Sequence, residues 1–370
     1  MRLLNELVEV QAKSTIKAGE GLTCGKYKFF TSSNIQSKWL NEFQYDKPAL
    51  IFGTGGMPSI HYCETPFSTS TDCIVMYGKE GTSLEVIYRY LSTNMHLLAE
   101  GFHGIGLQHI SKKYLLNIEI PVLDEAKQKA VTELANKLDV LISLRKDQLG
   151  KLDQLVKSRF IELFGDPYIN DKNWIVDTLG NYMTTLTDFS ANGSYELLDS
   201  NVVMYDEPNY AVMVRTTDLE SGDLSSGVKY IDKSAYELLN KSKLFGGELI
   251  MNKIGSAGKV YIMPYINRPA SLGRNAFMFR FDDRLNMKYL YFLLSSDYGT
   301  NEIQQYVRGA VTKTITKDST RTIKIIVPPI ELQNQFASFV EQTDKSKLAI
   351  QQSLNKLELL KKSLMQEYFG

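Results

Sequence analysis

The chain has 370 residues, and its 42 basic and 42 acidic side chains cancel to a formal charge of zero. With 43% apolar residues, this excludes a disordered polyelectrolyte and leaves room for two or three packed domains. No apolar run approaches the ~18–20 residues of a membrane span, the start MRLLNELVEV lacks a signal-peptide core, and three cysteines outside any CxxC pair (Cys24, Cys63, Cys73) fit a reducing, cytoplasmic setting.

Taken in chain order, short β-like runs come first. KYKFFTSS (26–33) reads as a strand, ALIFGTGGMPSIHY (49–62) as an apolar run broken by a glycine turn, and DCIVMYG (72–78) as a further strand. LEVIYRYLST (84–93) has helical character, and NIEIPVLDEAKQKAV (117–131) is a proline-marked approach to something longer. From Asp124 to Leu163, apolar residues recur at spacings of three and four: Leu134, Leu138, Leu141, Leu149, Leu152, Val156, Phe160 and Leu163. Gly150 interrupts at a cost of about 1 kcal/mol, too little to break so long a helix. Gly165 and Pro167 stop it. About 40 residues at ~1.5 Å each span roughly 60 Å, more than one small domain needs.

The second half repeats this plan. YAVMVRTTD (210–218) answers the first strand, and GELIMNKIGSAGKVYIM (247–263) answers the run with the glycine turn. AFMFRF (276–281) is a strand, MKYLYFLLSS (287–296) a helix, and IKIIVPPIELQNQFA (323–337) the second proline-marked approach. KLDQLVKSRFIELFG (151–165) returns as KLELLKKSLMQEYFG (356–370), with Ile350, Leu354, Leu357, Leu360, Leu364 and Tyr368 continuing the stripe. A lone helix of this kind would leave its seam in water; two in one chain can bury their seams as an antiparallel pair. The expected architecture is α+β: two similar mixed regions separated by a pair of long antiparallel, coiled-coil-like helices, related by a pseudo-twofold. The division runs 1–116, 117–171 (helix and linker), 172–322 and 323–370 (C-terminal helix).

The neutral total hides local asymmetry. Residues 196–240 hold nine acids and three bases, while 241–280 hold seven bases and one acid, Glu248. Residues 305–324 add Arg308, Lys313, Lys317, Arg321 and Lys324 against Asp318. Such segregation can make one face attractive to a polyanion.

Catalytic patterns are missing or incomplete. Glu207-Pro208-Asn209-Tyr210 departs at two positions from the signature of amino-methyltransferases and reads as a turn before a strand. Val327-Pro328-Pro329-Ile330 marks a helix start. Gly53-Thr54-Gly55-Gly56 is followed by Pro58 and β-like residues, where a nucleotide site needs a helix. Gly255-Ser256-Ala257-Gly258-Lys259 lacks P-loop glycine spacing, with Val260 at the hydroxyl position. His61 and Cys63 form an isolated pair, short of a zinc set. The chain reads as a recogniser without catalytic residues, metal or cofactor of its own.

The duplicated strings IEIPVLDEAKQKA…KLDVLISLRKDQLGKLDQLVKSRFIELFGDP and IIVPPIELQNQFASFV…KLELLKKSLMQEYFG, with ALIFGTGGMPSIHYCETPFSTSTDCIVM and LIMNKIGSAGKVYIM, resemble the specificity (S) subunit of type I restriction–modification systems over essentially the whole chain. That resemblance implies two target-recognition domains, residues 1–116 and 172–322, each reading one half of a bipartite, asymmetric site in double-stranded DNA. It implies spacer helices that set the separation and dock two modification (methyltransferase) subunits, which bind S-adenosylmethionine and methylate adenine N6; two restriction subunits using ATP and Mg can join them. Within the domains, base and phosphate contacts need Arg/Lys, Asn/Gln and Ser/Thr. The candidates are Lys253, Ser256, Lys259, Arg274, Asn275, Arg308, Lys313 and Lys317 in the second domain. In the first they are Thr54, Ser59, His61, His103, Gln108, Lys112 and Lys113. Two other readings compete: a coiled-coil scaffold independent of DNA, against which the large glycine-turned domains argue, and a stand-alone methyltransferase or nuclease, against which the missing motifs argue.

Overall fold

The computed structural model describes residues 1–369. It divides into two compact units, Met1–Leu149 with Ala349–Gly370, and Gly150–Leu348. The two units share one topology. In unit one, an antiparallel sheet has the spatial order Val8–Val10, Cys73–Gly78, Ala49–Gly53, Ser59–Cys63. In unit two, the order is Met183–Asp188, Ala276–Phe281, Leu249–Asn252, Val260–Ile262. A second sheet places Tyr27–Phe30 antiparallel to Lys38–Leu40 and parallel to Phe67–Thr69. Its counterpart places Ala211–Val214 antiparallel to Lys229–Ile231 and parallel to Ala270–Leu272, with Lys243–Leu244 added at the edge. A mixed pairing of this kind, met twice in the same strand order, carries the duplication further than the strings of similar residues do.

The periodicity from Asp124 to Leu163 becomes a helix over Glu125–Phe164, and its repeat a helix over Ile330–Phe369, each of 40 residues and starting 205 positions apart (125 and 330). Gly150 lies inside the first without interrupting it. At its end Gly165 takes φ 77°, the left-handed conformation that a side chain disfavours, and its N–H closes on the Ile161 carbonyl at 2.7 Å.

Matching positions of the long helices are buried in both units, although Leu134, Leu141 and Leu360 of the expected stripe stay exposed. In unit one, Val131 and Ala135 pack against Met365 and against Val86 of the Leu84–Thr93 helix. In unit two, the residues 205 positions on, Phe336 and Val340, share a core with Phe160, which stands 205 before Met365. Phe160 meets Phe336 edge-on at 5.4 Å, Phe164 meets Tyr289 at 4.7 Å, and the buried Tyr289 hydroxyl donates to the Ile326 carbonyl at 2.8 Å. Ion pairs record the antiparallel sense within each unit: Lys361 with Asp139 at 2.5 Å and Lys146 with Glu358 at 3.2 Å, then Lys347 with Asp153 at 2.5 Å. Arg89 is the buried polar tie of unit one. It donates to Glu85 at 2.8 Å, Asn136 at 2.8 Å and Asp139 at 3.1 Å, so its charge is compensated from two helices.

The periodicity argument misses the short elements. Lys38–Leu40, Phe67–Thr69 and the six-residue helices Thr216–Ser221 and Lys233–Leu238 are too brief to show a pattern, and strand pairing or a cap defines them instead. No helix among the described residues is long and apolar enough to cross a membrane.

A Cβ built on Gly150 meets nothing within 4 Å. Gly150→Ala is therefore expected to stabilise the chain by about 0.5–1 kcal/mol through helix propensity and the unfolded state. A raised midpoint in urea unfolding checks this; a lowered one would mean the helix is not continuous at that point.

Candidate nucleic-acid interface

The glycine turns singled out in the sequence sit beside a second loop in each unit. In unit one, the turn after Ala49–Gly53 is joined to the hairpin Phe102–Ile110: the Gly56 N–H donates to the Gln108 carbonyl at 3.0 Å, and the Ile110 N–H to the Thr54 carbonyl at 3.1 Å. The Thr54 N–H donates to the Asp72 carbonyl at 2.9 Å, which brings in a third turn. In unit two, the same three bonds recur as Gly255 to Lys313 at 2.9 Å, Ile315 to Lys253 at 3.1 Å and Lys253 to Asn275 at 2.9 Å. Gly56 and Gly255 adopt φ 83° and 81°, so both turns need glycine at the same step. Each hairpin closes over five residues, Gly104–Gln108 between His103 and His109, and Gly309–Lys313 between Arg308 and Thr314. A short capped helix follows each, Lys112–Leu116 behind Ser111 and Lys317–Arg321 behind Thr316. Main-chain bonds thus hold three loops together in both domains, and the side chains carried on them differ.

The candidate residues fall into two groups. Ser256, Lys259, Asn275, Arg308 and Lys313 are exposed on the three loops of unit two, and Arg274 is partly so. His103, Gln108, Lys112 and Lys113 are exposed in unit one, and Thr54 hydrogen-bonds the Asp72 carbonyl at 3.0 Å. Four of the expected contacts need correction. Ser59 is 1% exposed, its side chain lying under Gly53, so it cannot reach a ligand. His61 is committed internally: its Nε2 lies 2.7 Å from the Ser33 carbonyl and its ring packs on Phe30. Burial pushes that imidazole below its ordinary value, against the opposing pull of the carbonyl, so at neutral pH it is uncharged. Lys253 and Lys317 are largely withdrawn onto Asp188, at 2.8 and 2.7 Å.

The basic stretch 241–280 is also less available than its sequence suggests. Five of its seven bases are ion-paired: Lys243 with Glu237, Lys253 with Asp188, Lys259 with Glu220, Arg274 with Asp199 and Arg280 with Glu248. Three of those acids come from the acidic stretch 196–240, which folds back on the basic one. In 305–324 only Lys317 is paired among the described residues. Within these two stretches the bases without an ion pair among the described residues are Lys241 and Arg268 in the first and, on and beyond the hairpin, Arg308, Lys313, Arg321 and Lys324 in the second.

Sequence reasoning missed Asp188, the buried acid that anchors two lysines, and His109, exposed beside Gly55 with Nδ1 3.1 Å from the Thr54 carbonyl. The repeat held a signal for the hairpins. Gly104, Ile110 and Lys112 recur 205 positions later as Gly309, Ile315 and Lys317. Among the described residues, no three His, Cys, Asp or Glu side chains converge as a metal set.

The family model described as a type I restriction modification DNA specificity domain matches residues 1–154 and 179–359. The chain belongs to this family. It is 22% identical over 270 residues to the specificity subunit of the type I restriction enzyme MjaVIII from Methanocaldococcus jannaschii, a match covering 71% of this chain and 64% of that relative's length. The fold resembles the crystal structure of a type I restriction–modification S subunit from M. genitalium, with a TM-score of 0.65 and 15% identity over 100% of this chain and 95% of that one. A structure solved in work on complex assembly and conformational transition of the type I R-M system gives a TM-score of 0.56 and 16% identity, covering 100% and 96%. The three-loop surface is thus a feature of a DNA specificity domain present twice in one chain.

Asp188 generates a pH prediction. Burial raises its carboxyl pKa, but the bonds to Lys253 and Lys317 outweigh that and leave it below its ordinary 3.8. A depressed carboxylate contributes stability fully above its unfolded pKa and loses it as pH falls through the folded value. Asp188→Asn is expected to cost about 2–3 kcal/mol at pH 7 by leaving Lys253 largely buried and unpaired, and the deficit should shrink below about pH 4. Equal deficits at pH 7 and pH 3 in denaturant titrations would contradict this account.

Proposed function

We propose that this chain is the DNA-recognition subunit of a type I restriction–modification complex. Each of its two domains reads one half of a bipartite, asymmetric site in double-stranded DNA. The paired long helices set the separation of the halves and dock two methyltransferase subunits, which bind S-adenosylmethionine and methylate adenine N6. Two restriction subunits, bringing ATP and Mg, complete the restricting assembly. The chain itself supplies recognition and no chemistry.

One observation supports this reading above the others. Two domains of one family present an identically bonded trio of loops, carrying Thr54, His103 and Gln108 in one and Arg308, Lys313 and Ser256 in the other. A common scaffold with different polar tips is what two unlike half-sites require. A scaffold independent of DNA gives no reason for the same bonds to recur beneath different polar tips.

The decisive experiment exchanges residues 1–116 for the corresponding domain of another family member and maps methylated adenines in the host genome. One half of the methylated motif is expected to change while the other half and the spacing stay. A change in both halves would refute the two-reader account. A second measurement concerns charge. Lys313→Ala should weaken binding to all sequences and lower the slope of log K against log salt by about 0.9, the value for one phosphate contact. Lys259→Ala, whose ammonium is held by Glu220, should change the slope by less than half of that. Equal changes would mean that the ion pairs open freely on DNA.

A further inference from the structure

Ile105 and Val311 are 107% and 98% exposed, at or beyond the limit for an apolar side chain in a folded protein. They occupy the second and third positions of the two five-residue hairpin tips, Gly104–Gln108 and Gly309–Lys313. Neither tip is loose. The main-chain bonds from Gly56 and Gly255 hold its C-terminal end. Its first residue is a glycine at positive φ, 143° for Gly104 and 103° for Gly309. A Cβ there would lie 2.9 Å from the Leu107 carbonyl oxygen in one and 2.1 Å from that of Thr312 in the other, so both loops bend tightly enough to exclude a side chain.

We propose that Ile105 and Val311 press on the apolar surface of bases in duplex DNA, each adding to the choice of base pairs in its own half-site. This rests on the DNA-recognition reading above. The setting of the tips favours nucleic acid over a protein partner. An apolar protein-docking patch is contiguous, whereas Val311 stands between Arg308 and Lys313, and Ile105, with Leu107 beside it, stands between His103 and Gln108. An apolar tip set among donors and cations, with exposed Leu107 and Met57 near it in one unit and Ile254 in the other, matches a polyanion whose bases offer two apolar targets. These are the 5-methyl group of thymine in the major groove, and the ring faces uncovered when a wedge opens a base step.

The test uses the full chain, purified from its host with the partners it retains, to select from a pool of randomised duplex DNA that is then sequenced. The unaltered chain is expected to return a bipartite motif. Ile105→Ser should lose roughly tenfold preference at one or two base pairs of one half, and Val311→Ser should do the same in the other half. Salt slope and melting temperature should stay unchanged, because neither residue carries charge or buried area. Deoxyuridine in place of thymidine should reproduce the loss if the methyl group is the target. A 2-aminopurine fluorescence rise seen with the unaltered chain and lost in the variant marks an opened step instead; if neither signal appears, the apolar contact is excluded. Variants that select the unaltered motif overturn the proposal alone. So does loss of a retained partner with the motif intact, which would make the tips protein contacts. An unaltered chain that selects no motif overturns the recognition reading and this inference with it.

Discussion

An amphipathic helix of 40 residues has more apolar surface than a small α+β domain can cover, and the chain meets that constraint by making the helix twice. Val131 and Ala135 pack on Met365 in one unit; Phe336 and Val340 pack with Phe160 in the other. The partners are related by the same 205-residue shift, so the two cores are copies of one packing solution filled with different side chains. Smaller residues suffice in the first, where Arg89 adds a polar tie, while the second uses an aromatic group of Phe160, Phe164, Tyr289, Phe292 and Phe336. Losing any one of these phenylalanines to alanine removes several kcal/mol of packing, so the register of the repeat is also the register of the fold.

The long helices, their stop at Gly165, and the correspondence of strand-forming strings between the two halves could be read from the sequence, because each is encoded by residues close together in it. The convergence of three loops could not, since it depends on hydrogen bonds between residues as distant as Gly255 and Lys313. The candidate side chains were accordingly gathered correctly by type and only partly by position. Gln108 and Lys313 do project from the loops, but Ser59 and His61 lie on a strand whose inner and outer faces the glycine turn obscured. A stricter use of the 205-residue shift would have brought the hairpins forward, since Gly104 and Gly309 keep register with the helices that follow.

Charge was the least reliable guide. The segregation of acids into 196–240 and bases into 241–280 is real along the chain, yet in space the two stretches face each other as Asp199 with Arg274, Glu220 with Lys259, and Glu237 with Lys243. Linear asymmetry marks a charged surface only if the opposite stretch folds elsewhere. In 305–324, by contrast, Arg308, Lys313, Arg321 and Lys324 keep their charge without an ion pair among the described residues. Paired cations such as Arg274 are nonetheless oriented by their acids, and orientation is what reading a base edge needs more than raw attraction does.

The three bonds that recur beneath the loops of both domains join main-chain atoms, and the side-chain bonds added in unit one come from Thr54 and His109, outside the hairpin tips. Apart from the glycines, which residues occupy Gly104–Gln108 or Gly309–Lys313 is a matter of indifference to the clasp. Substitutions in these stretches can therefore change the tips while the clasp beneath them stays fixed. That separation of framework from tip confines sequence change to surface positions, where it carries little structural risk.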